Sequence, residues 1–246
     1  MGGNCYEDAR RAAAYAQIEF PGTYYLAYRD LPAIIHTHVR ARRALDFGCG
    51  AGRSTRFLGS LGFAVVGVDI AADMLAAARA RDPDGDYRLV GEGTLGPQAG
   101  TGYDLILSVF TFDNIPTRER KVETFVDLAS RLAPGGRLVN LVSAPEIYRY
   151  EWASFSTRDF PENRAARSGD RVRIVITEGG DPRPVEDTLW SDESYRAVYA
   201  AAGLELVADQ RPLGRPEEPY AWVNETVIAP WVIYVLAPVR GHPDPR

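Results

Sequence analysis

Short apolar runs alternate with segments of helical periodicity along most of the chain. The period-two apolar runs place strands at residues 43–47, 63–68, 86–90, 103–110, 136–143, 204–209 and 231–237. The segments with 3.6-residue periodicity place helices at residues 7–18, 30–41, 53–61, 71–81, 118–132 and 192–202. Strands that alternate with helices in this way predict an α/β fold with a mostly parallel, doubly wound sheet.

Two segments fall outside this alternation. Residues 1–40 predict an N-terminal helical lid, and residues 144–190 are too long for an ordinary α/β connection. This insertion contains β-like runs at 171–177 and 185–189, which predict a hairpin over the carboxyl ends of the strands. Loops at that edge form the ligand crevice of open α/β sheets, so the insertion is expected to be a substrate cap. We therefore divide a single domain into these two segments, a cofactor-binding half at 41–143 and the rest of the sheet at 191–240.

Composition narrows the function. The 246 residues carry a formal net charge of −5, which argues against a dedicated nucleic-acid-binding protein. No run is long and apolar enough for a membrane span, and no basic segment precedes an apolar run at the N-terminus, so we expect no membrane partner and a cytoplasmic location. Two cysteines, Cys5 and Cys49, favour a reducing compartment, and neither they nor the three histidines have metal-binding spacing. We expect no metal.

A glycine-rich loop between the first strand and its helix carries the strongest chemical signal. The strand ends at Asp46, and glycines follow at 48, 50 and 52. Glycine lacks a Cβ, so the backbone here can closely approach a nucleotide-like ligand. A dinucleotide-binding loop has its third glycine at the sixth position, which Arg53 occupies in this chain. The loop therefore favours S-adenosyl-L-methionine over a nicotinamide cofactor.

Four stretches, taken in order, resemble a class I S-adenosylmethionine-dependent methyltransferase of the small-molecule type. They are residues 45–52, 66–75, 103–108 and 132–138. The resemblance implies a seven-stranded, Rossmann-like sheet whose last strand is antiparallel. It also implies methyl transfer to a small-molecule acceptor by in-line displacement at the sulfonium methyl, with S-adenosyl-L-homocysteine as product. The acceptor and its reacting atom (O, N, S or C) stay open, as does the choice between monomer and homodimer.

The resemblance also suggests roles for cofactor-binding residues. Asp46 would accept from the cofactor ammonium, directly or through water, or would only organise the loop. Asp69 would accept from the ribose hydroxyls, or would cap the following helix. An N-terminal tyrosine would close over the cofactor, and Arg29 or Arg53 would pair with its carboxylate. The cofactor-binding candidates are Tyr24, Tyr25, Arg29, Asp46, Gly48, Cys49, Gly50, Asp69, Ile70, Met74, Glu92, Gly93, Ser108 and Phe110.

In these candidates Ile70 and Met74 would flank the adenine, although Met74 could equally belong to the core. Glu92, followed by Gly93, would accept from the adenine amino group, or would be an exposed loop carboxylate. Ser108 and Phe110 lie at the end of the fourth strand, where methyl donor and acceptor should meet.

The acceptor side is less clear. Asp113 and Asn114 follow the fourth strand, and Asp113 could act as general base or orient the acceptor. The alternative is that the pair caps a helix and shapes a turn. His36 is a second candidate base. The insertion contributes Tyr148, Glu151, Trp152 and Phe155 as an acceptor pocket or as a small satellite core.

Two other functions stay open at this point. A nicotinamide-dependent oxidoreductase is disfavoured by Arg53 and by the lack of a tyrosine–lysine or histidine catalytic pattern. A catalytically inactive, cofactor-binding regulatory subunit would keep the glycine loop and Asp69. The sequence also lacks the Asn/Asp-Pro-Pro-aromatic tetrad of enzymes that methylate amino groups of nucleic acids or protein amides.

Overall fold

The structure is a computed structural model, which describes residues 22–178 and 183–239. The helices are α1 (Thr23–Arg29), α2 (Leu31–His38), α3 (Arg53–Ser60), α4 (Ala72–Arg81), α5 (Arg118–Ser130) and α6 (Asp192–Ala201). The strands are β1 (Arg43–Phe47), β2 (Ala64–Asp69), β3 (Asp86–Leu89), β4 (Tyr103–Val109), β5 (Leu132–Ser143), β6 (Phe155–Ser156), β7 (Arg171–Ile176), β8 (Val185–Thr188), β9 (Leu204–Gln210) and β10 (Trp231–Pro238). The predicted helix at 7–18 lies outside the described residues, as do residues 179–182 between the two predicted strands of the hairpin.

Seven strands form the main sheet in the order β3-β2-β1-β4-β5-β10-β9. The first five are mutually parallel, and β10 runs antiparallel to both of its neighbours. This arrangement confirms the predicted doubly wound sheet with an antiparallel last strand. The carboxyl ends of β1, β2 and β4 meet at one edge, and the loops that follow them build the site.

Alternate side chains of each central strand pack on opposite faces of the sheet. Leu105 and Leu107 of β4 belong to a buried cluster that includes α1, α2 and the insertion, whereas Ile106 packs with α5 and α6. Because side chains on both faces of β4 are buried, the strand is a continuous apolar run in the sequence rather than an alternating one.

The insertion contains the predicted hairpin. Strands β7 and β8 pair antiparallel, with Arg171 opposite Thr188 and Ile174 opposite Val185. The sequence did not predict β6, which adds a short third strand by pairing with β7.

Two predicted boundaries are wrong. The helix predicted at 30–41 corresponds to α2 alone, which begins at Leu31 and ends at His38, and α1 is a separate helix before it. Strand β5 begins at Leu132 rather than at residue 136, because Leu132 already pairs with Tyr103 before the register shifts. Residues 132–136 are therefore an irregular stretch of strand.

A buried carboxylate joins three distant parts of the chain. Glu225 is fully buried, and its Oε1 accepts from Thr23 Oγ1 and from the Ala153 amide, both at 2.7 Å. Its Oε2 accepts from the amides of Val223 and Asn224 at 2.8 and 3.1 Å. Glu225 thereby fixes α1 and the insertion to the loop before β10.

Within the described ranges, no helix has the length and apolar character needed to span a membrane.

Candidate active site

A cavity of about 600 Å³ opens at the carboxyl ends of the parallel strands. We call it the main cavity. Its walls come from segments 47–50, 68–74, 90–95, 109–116 and 186–188, so four strand-to-helix connections and the hairpin contribute. A volume of this size fits a cofactor or a drug-sized ligand.

The glycine loop forms the floor of the main cavity and depends on its glycines. The backbone at Gly48 has φ 72°, and a Cβ there would lie 2.1 Å from Thr111 Oγ1. Thr111 Oγ1 in turn donates to the carbonyl oxygen of Phe47 at 3.0 Å. The first glycine is therefore required by a left-handed backbone and by the close approach of the loop after β4.

Asp46 is buried beneath this loop. Its Oδ2 accepts from Ser54 Oγ at 2.7 Å and from Thr55 Oγ1 at 2.6 Å. Oδ1 is also buried and has no hydrogen-bond partner among the described residues. Burial raises the pKa of Asp46 to about 6, and the two hydroxyls oppose that rise. Asp46 does not line the main cavity. Its contacts support the loop-organising alternative, and an interaction with the cofactor ammonium stays a prediction.

Asp69 lines the main cavity at the end of β2. Its Oδ2 accepts from the Gly50 amide and its Oδ1 from the Ala71 amide, both at 2.8 Å. Burial raises the pKa of Asp69, while these main-chain donors lower it. One carboxylate thus joins the glycine loop to the residue before α4, although the N-cap position itself is Ala71 and carries no side-chain cap. Each oxygen can accept a second hydrogen bond, so the ribose role stays a prediction.

The adenine candidates also lie on the cavity wall. Ile70 is exposed, Met74 is buried, and both line the main cavity together with Glu92 and Gly93. The Glu92 carboxylate forms an ion pair with Arg120 at 2.5 Å at the exposed rim. The structure therefore brings these four residues to one wall, and their contacts with adenine stay predictions.

Some predicted site residues lie away from the main cavity. Arg29 is held by Asp30 and Glu218, each with a contact at 2.8 Å, and its pKa is raised by those carboxylates. This corrects its assignment to the cofactor carboxylate, since its guanidinium is already neutralised. His36 is exposed on α2 and lines neither cavity, which corrects its assignment as a base. Arg53 also lines neither cavity, and its pairing with the cofactor carboxylate stays a prediction.

Arg53 lies at the start of α3. Its guanidinium carbon is 5.1 Å from the ring centroid of Tyr24 and 5.5 Å from that of Tyr28. Tyr24 is buried, whereas Tyr25 is half-buried and packs against Tyr220. The structure therefore places Tyr24, and not Tyr25, beside the glycine loop's arginine. Cys49 and Ser108 are buried, and their side chains are not on the cavity wall.

A second, smaller cavity of about 40 Å³ lies next to the main one, and we call it the inner cavity. Phe110, Asp113, Asn114 and Asp187 line both cavities. The remaining lining of the inner cavity is largely apolar: Tyr24, Ile147, Tyr148, Phe155, Ile174, Ile176, Val185 and Trp231. Phe110 is the one non-glycine residue of the described ranges with positive φ, at 61°, which marks local backbone strain at this junction.

The structure divides the predicted acceptor residues. Tyr148 and Phe155 line the inner cavity. Glu151 instead accepts from Ser156 Oγ and the Thr157 amide, and Trp152 Nε1 donates to the Ile147 carbonyl. The last two side chains are structural, which corrects their assignment to substrate.

Two carboxylates meet where the cavities join. Asp113 is buried, and its oxygens accept from the Ser143 amide at 3.0 Å and the Tyr195 hydroxyl at 3.3 Å. Asp187 accepts from the Tyr148 hydroxyl at 3.0 Å. Burial raises the pKa of both, and the charge of Asp113 raises that of Asp187 further. Asn114 donates to the Phe110 carbonyl at 3.3 Å, as the turn-shaping alternative predicted.

Asp187 was missed by the sequence analysis although the sequence carries a signal for it. It lies two residues after Val185 on β8, so the two side chains share the face that lines the inner cavity. A carboxylate on the apolar face of a cap strand is a candidate for function.

Among the described residues, no cluster of histidine, cysteine, aspartate or glutamate could hold a metal ion.

Comparison with known proteins adds four likenesses. Residues 45–138 match a family profile described as a methyltransferase domain. The chain is 37% identical over 196 residues to trans-aconitate 2-methyltransferase of Variovorax paradoxus, covering 78% of this chain and 70% of that protein. It is 26% identical over 204 residues to dTDP-3-amino-3,6-dideoxy-alpha-D-glucopyranose N,N-dimethyltransferase of Streptomyces fradiae, covering 74% and 78%. Among solved structures, the CcbJ methyltransferase of Streptomyces caelestis superimposes with a TM-score of 0.67 at 20% identity, covering 97% of this chain and all of that one.

Proposed function

Because this chain belongs to the class I S-adenosylmethionine-dependent methyltransferases, we propose that it methylates the nitrogen of a small-molecule amine. Its cofactor is S-adenosylmethionine, and its relatives act on small molecules. The nature of the acceptor atom is our inference. It depends on one observation: two carboxylates, Asp113 and Asp187, line the junction of the main and inner cavities.

The main cavity supports cofactor binding by this chain's own residues. Asp69 and the main chain around Gly48 and Gly50 line it, and a Cβ at Gly50 would approach Met74 Cε to 3.0 Å. We propose that Asp69 holds the ribose, that Ile70 and Met74 flank the adenine, and that Arg53 neutralises the carboxylate. When bound, the cofactor supplies an electrophilic methyl group on a sulfonium.

The carboxylate pair suits an amine better than an acid. An amine binds as an ammonium ion at neutral pH, which the pair attracts, but the nitrogen must lose a proton before its lone pair can attack. Asp113 and Asp187 have pKa values raised towards neutrality, so one of them can accept that proton. A carboxylate acceptor would be repelled by the same pair. The cavity-lining arginines Arg120 and Arg171 are already paired with Glu92 and Glu186.

The inner cavity supports the same choice. Its aromatic residues are well placed around a cationic nitrogen with small apolar substituents, because aromatic faces attract ammonium groups. The rings of Tyr24 and Phe155 lie 4.9 Å apart, and those of Phe110 and Trp231 lie 4.6 Å apart. We propose that these rings receive the carbon substituent of the amine while Asp113 orients the nitrogen towards the methyl group. The bound ammonium first gives one proton to Asp187 or to water. The neutral nitrogen then forms a bond to the methyl carbon as the carbon–sulfur bond breaks, which leaves a methylated ammonium and neutral S-adenosylhomocysteine.

The test is a panel of small amines and matched carboxylic acids, assayed for S-adenosylhomocysteine formation and for product mass. We expect methylated amines and unreacted acids. D113N and D187N are each expected to lower kcat/KM by about 10²-fold or more, within the usual range for acid–base groups, without weakening S-adenosylmethionine binding. D159N, at an exposed carboxylate of the insertion, is the matched control and should behave as wild type. Methylation of the acids but not the amines would overturn the proposal.

A further inference from the structure

A fully buried lysine lies close to the carboxylate pair. Lys121, on α5, has 0% exposure, and its ammonium donates a hydrogen bond to the Phe112 carbonyl. Nζ also lies 4.9 Å from the ring centroid of Trp190 and 5.3 Å from that of Tyr195. Buried lysines are rare because taking the charge out of water is costly. Lys121 lines neither cavity, so it makes no contact that a ligand there would replace.

The sequence makes this position unusual. Of the 28 lysine and arginine residues in the chain, Lys121 is the single lysine. A guanidinium has five N–H donors in a rigid plane, and one carbonyl with three aromatic faces would leave most of them unsatisfied. A compact ammonium fits such a site. The position therefore combines a positive charge with a small head group.

Lys121 is connected to both carboxylates. The Tyr195 ring beneath its ammonium carries the hydroxyl that donates to Asp113, and the carbonyl that it binds belongs to the residue before Asp113. Its positive charge lowers the pKa of Asp113 and of Asp187, against the effect of burial. Burial lowers the pKa of Lys121 to about 7, and the charges of both carboxylates oppose that fall.

We propose that Lys121 is a positioning residue for methyl transfer, whose buried ammonium keeps one carboxylate of the pair ionised while the other exchanges a proton with the acceptor. With one cation and two carboxylates, the cluster carries one net negative charge when a cationic amine enters. Without the lysine, two like charges would face each other in a buried site, and one would be neutralised by a proton. The inference rests on the proposed amine acceptor for its role in turnover.

The titratable groups that face this cluster come from every element packed around it. They are Asp113 from the turn after β4, Asp187 and Glu186 from β8, Tyr148 from the start of the insertion and Tyr195 from α6. Burial raises the pKa of both tyrosines far above neutrality, so they stay protonated. Asp113, Asp187 and Lys121 are therefore the groups of this cluster that titrate near pH 7.

The first experiment compares K121M and K121R with wild type in kcat/KM against pH, using an amine that the wild type methylates. K121M removes the charge. The acidic limb of its kcat/KM profile should therefore shift to higher pH by about one unit or more, the size expected for loss of a nearby opposite charge. Activity at pH 7 should fall about tenfold and recover partly at pH 9, while S-adenosylmethionine affinity stays unchanged. K121R keeps the charge and should keep the acidic limb of wild type, even where its overall rate is lower.

An acidic limb that K121M leaves in place would overturn the inference, because a purely structural lysine would change stability without moving the pH profile. A second measurement needs no variant and no acceptor. Wild-type enzyme labelled with ¹⁵N-lysine contains a single Nζ signal, since the chain has one lysine. We expect a charged Nζ at pH 6.5 whose shift senses titration of the carboxylates. A neutral Nζ at that pH would overturn the inference, whereas failure of every amine to react would overturn the proposed function and leave the Nζ result standing.

Discussion

Replacing Thr55 with valine removes one of the two hydroxyls that donate to the buried Asp46 carboxylate. The lost contact is the 2.6 Å hydrogen bond from Thr55 Oγ1 to Oδ2, which leaves only the Ser54 donor because Oδ1 has no partner in the described residues. A hydrogen bond to a charged group contributes about 1.5–3 kcal/mol. We therefore expect T55V to lower the free energy of unfolding by about 2 kcal/mol at pH 8, where Asp46 is ionised.

The loss should depend on pH. Burial raises the pKa of Asp46 to about 6, so most of this carboxyl is neutral at pH 5 in the folded protein. A hydrogen bond to a neutral group contributes only about 1 kcal/mol. T55V therefore raises the pKa of Asp46 in the folded protein further, because it destabilises the ionised form more than the neutral form. Each 1.4 kcal/mol of that difference corresponds to about one pKa unit. A raised folded-state pKa gives stability at low pH that is lost as pH rises through it, so the deficit of T55V should grow from pH 5 to pH 8.

The assay is urea unfolding of wild type and T55V at pH 5 and pH 8, followed by far-UV circular dichroism with the slopes compared. T37V is the matched control, because Thr37 Oγ1 donates to the Ala33 carbonyl at 2.8 Å on an exposed surface. We expect it to change stability by less than about 0.5 kcal/mol at either pH. An equal loss for T55V at both pH values would refute the reasoning that Asp46 is ionised beneath the glycine loop.

Two further predictions concern the main cavity. D69N leaves one side-chain acceptor for the two main-chain N–H groups that Asp69 now binds, so we expect S-adenosylmethionine affinity to fall at least about tenfold by calorimetry, and an unchanged affinity would contradict the ribose role. G48A forces alanine into φ 72° with its Cβ 2.1 Å from Thr111 Oγ1, so the free energy of unfolding should fall by about 1–2 kcal/mol from the left-handed backbone alone, and the melting temperature should fall with it. A melting curve that overlays wild type would show that the loop can shift to accept a side chain.

Local signals account for what the sequence predicted well. Strand β1 ends where predicted because its buried run stops just before the first glycine, and α3 begins at Arg53 because the third glycine adopts a left-handed conformation before it. The early start of β5 was missed, since it depends on the pairing of Leu132 with Tyr103 in another strand. Intrinsic propensity does not contain that information.

The site was predicted less completely because its pairs are distant in the sequence. Arg29 was assigned to the cofactor, but its partner Glu218 lies 189 positions away and no local pattern connects them. Asp113 was found as a polar residue after a strand, whereas its counterpart Asp187 required the geometry of the insertion. Lys121 carried a compositional signal, as the single lysine, that helical periodicity alone did not reveal.

The hydrogen bond from Thr23 to Glu225 has a consequence for how the protein is made. The two residues are 202 positions apart, so α1 cannot reach its final contacts until residue 225 has left the ribosome. The parallel strands that carry the glycine loop and Asp69 are complete much earlier, and the β10 residue Trp231, which donates to the Thr23 carbonyl, is synthesised later still. The order of synthesis therefore implies that the cofactor half can form first, while the wall around the acceptor closes as one of the last events of folding.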